Sequence, residues 1–405
     1  MDNASVNDVL ARTLGFLLLK RYGIHFDPQN GQIHCIAHVV NLVVQKMLNK
    51  LEEAVDPNVD DYYERNKHVP FHYDPETDED QKALDEEEDE EEDESSEDEE
   101  ASGLSPNGGP IGDEDDEDDE LVQQWSSHSA VKKLRLICTK IASSPQRRSS
   151  FRKIVHSAYA SSHPDDVRRR RLMVIRDVVT RWNYTHAMIE RALFMRTAID
   201  TWVFNNVKLR ELLLSQQEWA LLKSIAGLLE IFTKVTKAMS RAHTPTLPYV
   251  LPMYEHMRKS LIRSTEDPVL SKTLRDAAAA GLEKLLQYYH HAKVSDHTMI
   301  ATILHPSLRL RWFEQNDMIA VATARKTFED AYKDYQRDVP QPEAPPPAAT
   351  QVEDHSTDFM DEICGLREPT PDAAKSAESD DELTRYLSMA GGKVAKDDSV
   401  LMWWK

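Results

Sequence analysis

The sequence predicts a mixed α/β chain that is predominantly helical and carries long disordered segments. Three observations lead there. Apolar residues recur at helical spacing through most of residues 184–289, the period that lays one stripe along a helix. Two runs of strand length occur, at residues 31–38 and 172–175. One segment, residues 74–120, holds 27 Asp or Glu against the single Lys82, a composition that buries too little apolar surface to offset the entropy of ordering.

Each element can be argued in chain order. Val9, Leu10, Leu14, Leu17 and Leu18 share one helical face in residues 7–22, and Gly23 is the residue on which helices commonly stop. Residues 31–38 read as a short strand entering a second helix through Val39, Leu42, Val43 and Met47. After the acidic tract, Val131, Leu134, Cys138 and Ile141 mark a helix, and Leu172-Met173-Val174-Ile175 reads as a strand. Ser215-Gln216-Gln217-Glu218 is a capping box, in which Ser oxygen and Glu carboxylate each satisfy a free amide. Trp219, Leu222, Ala226, Leu229, Phe232, Val235 and Met239 follow as one stripe. A break at Thr244-Pro245-Thr246-Leu247-Pro248 separates this helix from those over residues 249–262 and 274–289. Pro340, Pro342 and Pro345 to Pro347 open a second linker, after which a short ordered piece, residues 382–388, precedes Trp403-Trp404-Lys405.

The net charge of −21 belongs to the acidic tract, for without residues 74–120 the remainder carries about +5. Residues 131–171 hold twelve Lys or Arg and two Asp, a local excess of +10. Within it lie Lys132, Lys133, Arg147, Arg148, Arg168, Arg169, Arg170 and Arg171. Such a cluster suits a phosphate backbone or a nuclear import signal, or is a solvated helix face. Cys35, Cys138 and Cys364 are too few and too scattered for a disulfide framework. No apolar run approaches the roughly 20 residues of a membrane span, and no charged-then-apolar leader is present. The expectation is a soluble, unsecreted chain in a reducing compartment.

Several short motifs occur in a fixed order: Asp2-Asn3-Ala4, Cys35-Ile36-Ala37-His38, Ser143 to Arg148, Thr180-Arg181-Trp182-Asn183 with Glu190-Arg191, and Glu218-Trp219. Thr244-Pro245-Thr246, His305-Pro306-Ser307 with Trp312-Phe313, Leu383 to Leu387 and Leu401 to Lys405 continue the series. Together they resemble hAT-family transposases. The resemblance implies a ribonuclease-H-like core interrupted by an all-α insertion domain, with three carboxylates holding two divalent ions for DNA strand transfer. Asp2 matches the second acid. The first lies upstream of it in the family and the third beyond the tryptophan-lysine segment, and no residue of this sequence matches either. Asp2 is therefore expected to be vestigial and the chain inactive, with no cofactor; Mg²⁺ is expected only for an intact homologue.

Arg181 and Trp182 match the family segment at the start of the insertion domain. There Trp182 could stack on an extruded base and Arg181 contact phosphate, or Trp182 could be a core side chain. Cys35 and His38 match a family motif as well. A structural zinc site needs four ligands, and no second pair stands at suitable spacing, so no metal is assigned.

The expected organisation is a partial ribonuclease-H-like core (1–55), an acidic disordered segment (56–124) and the core's continuation with the basic segment (125–200). An all-α insertion domain (201–335), a disordered linker (336–381) and the opening of a C-terminal dimerisation region (382–405) complete it. The expected role is a hAT-derived nuclear protein with weak, salt-sensitive DNA binding and homodimerisation. The competing readings are a fragment of an active transposase and a domesticated regulatory factor.

Overall fold

In a computed structural model of the chain, the described residues are 5–28, 30–51, 75–76, 78–86, 129–177, 182–241, 245–338, 382–388 and 404. They form fifteen α-helices and two short 3-10 turns, and no strand occurs among them. The chain is predominantly helical, as expected, and divides into two compact units. One comprises Met1–Val43, Lys234–Asp267 and Ala278–Lys405; the other comprises Val44–Thr233 and Pro268–Ala277.

In the first unit, α1 (Ser5–Tyr22) ends at Gly23, which adopts φ +67°. Its leucine stripe does not face inward: Val9, Leu10 and Leu14 are exposed, while Ala11 and Gly15 are buried. The reason is close approach. A β-carbon on Gly15 would lie 3.0 Å from the Phe26 carbonyl, so only the small-residue face can meet the following turn. Residues 31–38 form no strand. The Gly31 amide closes a turn onto the Asp27 carbonyl at 2.8 Å, and α2 (Ile36–Lys50) begins within the run. Asn30 fixes this loop elsewhere. Its amide donates to the Asp296 carboxylate at 2.6 Å and accepts from the Asp296 N–H at 2.8 Å, where α12 (Asp296–Leu304) starts.

The core of this unit is built by α10 (Val250–Glu266), the later part of α11 (Lys272–Val294), α12, α13 (Arg309–Asn316) and α14 (Val321–Asp338). Met253, Met257, Leu285, Ile303 and Phe313 are almost fully buried within it. Tyr254 and Tyr289 stack with their planes 2° apart, and the Tyr289 hydroxyl donates to the buried Glu255, which Arg258 grips with two nitrogens at 2.7 and 2.8 Å. The short C-terminal helix α15 (Glu382–Ser388) docks through Tyr386, which donates to the Ile303 carbonyl at 2.8 Å and lies under the Arg309 guanidinium.

In the second unit, α4 (Ala130–Ala142), α5 (Pro145–Ala158), α7 (Trp182–Phe194), α8 (Arg196–Asn205) and the first part of α9 (Gln216–Met239) enclose Ile137, Phe151, Met188, Trp202 and Trp219. The capping box forms as expected: the Ser215 N–H donates to Glu218 at 2.7 Å, and the Glu218 N–H to the Ser215 hydroxyl at 3.2 Å. Two expectations are corrected. The acidic segment carries a helix, α3 (Glu79–Glu86), which polar contacts hold in place of an apolar face. Leu172 to Ile175 runs without turn or bend and Met173 to Ile175 are deeply buried, but among the described residues the run pairs with no neighbouring strand.

His305 supplies a test of the first unit's packing. It is 2% exposed, its Nδ1 accepts the Ser307 N–H at 3.2 Å, and its Nε2 meets the Tyr249 hydroxyl at 2.8 Å. Nδ1 must therefore be unprotonated, with Nε2–H donating to Tyr249. Burial lowers its pKa from 6.5 to about 4. Because the folded state resists protonation, this contribution is fully present above pH 6.5 and is lost as pH falls toward 4, amounting to about 3 kcal/mol. Denaturant unfolding across that window should show the loss, and His305→Gln should flatten the pH dependence.

Candidate nucleic-acid interface

The basic residues of the second unit begin with the helices that carry them. Ser144 caps α5 by accepting the Arg147 N–H at 3.3 Å, and Pro145 occupies the first helical position, where a missing N–H costs nothing. His163 and Pro164 start α6 (Pro164–Arg170) in the same way, the imidazole accepting the Asp165 N–H at 3.3 Å. These caps place Arg147 and Arg148 in the first turn of α5 and Arg168 to Arg170 in the last turn of α6.

Most of these arginines then close the carboxyl ends of neighbouring helices. Arg148 donates to the Ala142 carbonyl at the end of α4 (3.2 Å), and Arg169 to that of Phe194 at the end of α7 (2.8 Å). Arg170 donates to the carbonyls of Tyr159 and Ser161 just beyond α5. Arg152, outside the expected set, donates to Leu84 in the last turn of α3 (2.6 Å). A helix end leaves carbonyls unpaired and carries partial negative charge, so a guanidinium there satisfies both demands. Arg169 is further held by Asp166 at 2.6 Å and lies over the rings of Phe194 and Tyr159, with its guanidinium 4.2 and 4.9 Å from their centres. The hydroxyl of Ser161 and the Arg169 guanidinium both donate to Asp166 and hold its carboxyl below the usual range.

Lys133 is tied to Glu218 at 2.8 Å, joining α4 to the capping box of α9. Arg147 reaches the Ser143 hydroxyl at 3.1 Å. Arg168 is exposed, 3.5 Å from Glu76 and over the Phe194 ring. Among the described residues Lys132 and Arg171 meet no side-chain partner, and neither do Lys153 and Arg176, two exposed cations that the charge count alone did not single out. Lys153 lines a groove of about 790 Å³ with Gln146, Ser149, Ser150, Asn205 and Asn206, and Pro145 and Ile154 complete its wall. Hydroxyls, amides and one ammonium there are groups that contact sugar and phosphate oxygens.

Trp182 is 3% exposed and meets Phe232 edge to face at 6.4 Å. Behind it, the side chain of Asp177 is fully buried and accepts from Arg135 at 2.5 Å and from Thr185 at 3.0 Å, pinning α7 against α4. Burial and the neighbouring Asp177 push the Cys138 thiol far up, so it stays protonated. Asp2 and Arg181 lie outside the described residues. Cys35 is a half-buried free thiol and His38 is buried on α2; among the described residues no three His, Cys, Asp or Glu side chains converge as a metal site. No described helix is long and apolar enough to cross a membrane.

A family model described as the ZBED1 RNase-like helical domain matches residues 119–228, the stretch that contains α4 to α8 and the basic helices. The chain is 24% identical over 323 residues to the "Putative transcriptional regulator tpeD" of Talaromyces stipitatus, a match covering 78% of this chain and 28% of that protein. The chain thus spans little more than a quarter of that relative's length. No solved structure matches.

The placement of the basic residues separates two kinds of substitution. Arg169→Ala should destabilise the chain by about 2 kcal/mol, since it removes a helix-end contact and two ring contacts. Lys132→Ala and Arg171→Ala should leave the thermal midpoint unchanged while each weakens DNA binding and lowers the salt slope by about 1. Melting curves and fluorescence anisotropy on a labelled duplex measure the two effects.

Proposed function

We propose that the chain is a hAT-transposase-derived regulatory factor that binds DNA weakly in the nucleus and performs no strand transfer. The observation that carries this reading is the match of residues 119–228 to the ZBED1 helical family. A relative bearing the name of a transcriptional regulator along 78% of this chain supports it. In this reading the buried run of Met173 to Ile175 belongs to a ribonuclease-H-like core, and the helices after it to the insertion domain.

The charge arrangement supports the weak binding. With most arginines engaged at helix ends, Lys132, Lys153, Arg171 and Arg176 remain as cations for a phosphate backbone. About four phosphate contacts correspond to a slope near −3.6 in log K against log salt, so affinity depends steeply on ionic strength and little on sequence. Strand transfer requires converging carboxylates, and Asp2 is the one residue of this sequence matching a family acid. Dimerisation through the segment containing α15 completes the proposal.

Anisotropy on a random-sequence duplex, in chelator and across about 50 to 200 mM salt, should give that slope. Deleting residues 87–120 should tighten binding at low salt, because a tethered acidic tract competes with DNA for the basic face. Purified chain with Mg²⁺ or Mn²⁺ and DNA carrying transposon terminal repeats should neither nick nor join. Cleavage abolished by Asp2→Ala would overturn the assignment of inactivity, and a salt-independent affinity would overturn the binding mode.

A further inference from the structure

Helix α5 has two sides. Phe151, Arg152 and Val155 are buried, while Gln146, Ser149, Ser150 and Lys153 follow the spacing i, i+3, i+4, i+7 that sets side chains in one row along a helix. At 1.5 Å per residue that row runs about 10 Å, the length of about three stacked nucleotides. The groove of about 790 Å³ lies along it, and Asn205 and Asn206 at the end of α8 form its far wall. The two helices pack against each other within the second unit, so both walls belong to one compact body.

The far wall is held by its own hydrogen bonds. The Asn206 N–H meets the Trp202 and Val203 carbonyls at 3.2 Å, and its side-chain amide donates to the Trp202 carbonyl at 2.6 Å. That fixes the side chain and keeps its carbonyl oxygen as an acceptor. Immediately before Asn205 stands Phe204, an aromatic side chain 56% exposed. Arg210 is set over it, with its guanidinium 5.0 Å from the ring centre and Nε donating to the Phe204 carbonyl at 2.7 Å. A phenyl ring and a guanidinium are both flat faces on which nucleic-acid bases stack.

We propose that this groove takes an unpaired DNA strand. A base stacks on the Phe204–Arg210 pair, the amides of Gln146, Asn205 and Asn206 meet base edges and sugar, and Lys153 meets phosphate. The inference rests on the DNA-binding reading above and adds the form of DNA that this part of the unit takes. In a duplex the faces of each base are covered by its neighbours and the pairing edge by the partner strand; an unpaired strand offers both. Amides carry donor and acceptor together, which matches base edges, whereas phosphate only accepts. One ammonium among the six polar side chains of the groove is little charge for a duplex backbone. An acidic peptide would find that same ammonium and no use for the exposed ring.

The test uses the full chain in chelator and labelled probes of about ten nucleotides: a mixed-sequence DNA strand, its duplex, and a strand of abasic sugars carrying the same phosphates. Anisotropy should show the intact strand bound about tenfold more tightly than the abasic one, the contribution of about one stacked base. Phe204→Ala should remove that advantage and leave duplex affinity unchanged, and Phe204→Tyr, which keeps the ring, should retain it. Ser150→Asp, on the exposed side of α5, should weaken the intact strand more than the duplex, because it sets a carboxylate in the groove. The duplex arm reads the DNA-binding proposal, and the abasic comparison reads this one. Equal binding of intact and abasic strands, or equal losses for strand and duplex in Phe204→Ala, would overturn this inference whether or not the duplex binds. Tighter binding of poly-aspartate, or of an RNA strand of the same sequence, would overturn it as well.

Discussion

The second unit depends on arginine side chains closing the ends of short helices. Helices of seven to fourteen residues dominate its basic half, and each end leaves carbonyls without an intrahelical partner. Arg148, Arg152, Arg169 and Arg170 reach those carbonyls directly. A planar guanidinium with several donors can serve a carbonyl, a carboxylate and a ring face at once, as Arg169 does; the compact ammonium of lysine cannot. The local charge excess is thus largely an architectural expense. What reaches solvent as free cation is a smaller set, and that limits any phosphate contact to few sites.

The same chemistry joins the acidic tract to the fold. Asp85 accepts from the Met173 amide and from Gln81 and stands 3.5 Å from Arg191. Its pKa is nonetheless raised, because burial outweighs the hydrogen bonds and the charge that favour ionisation. A carboxylate in that balance holds its place by geometry more than by net charge attraction, since burying an ion pair costs nearly what the pairing returns. The start of the acidic tract is therefore a fitted contact, where composition alone suggests only a diffuse counter-charge.

In the first unit two buried polar side chains sit in closed sets. Glu255 is surrounded by Arg258, Lys259 and Tyr289, and His305 by Tyr249 and Ser307. Arg309 takes a positive φ of 52° and is 2% exposed, with its guanidinium against Tyr386. A left-handed arginine is strained by about 1–2 kcal/mol, and it sits where the chain turns from the His305-Pro306-Ser307 bend into α13. That bend aims the guanidinium at α15, so the terminal helix and the bend depend on one another.

The sequence by itself determined what nearest neighbours decide. Ser215 and Glu218 specify the start of α9, the Trp219-to-Val235 stripe its buried face, Gly23 the end of α1, and Pro245 to Pro248 the interruption before α10. All act within a turn or two of chain, through capping and period. Tertiary structure decided whatever needed a distant partner. The strand expected at Leu172 to Ile175 is absent because a ladder requires a second segment in register, and Asp85, 88 residues away in sequence, takes the amide. The leucine face of α1 turned outward because Phe26 lies too close to Gly15 for a larger side chain there. Several arginines that charge counting assigned to DNA were claimed by carbonyls up to 25 residues distant, as Arg169 and Phe194 show. Charge and strand propensity can be read along a chain, but which group satisfies them is fixed only once the chain has folded back on itself.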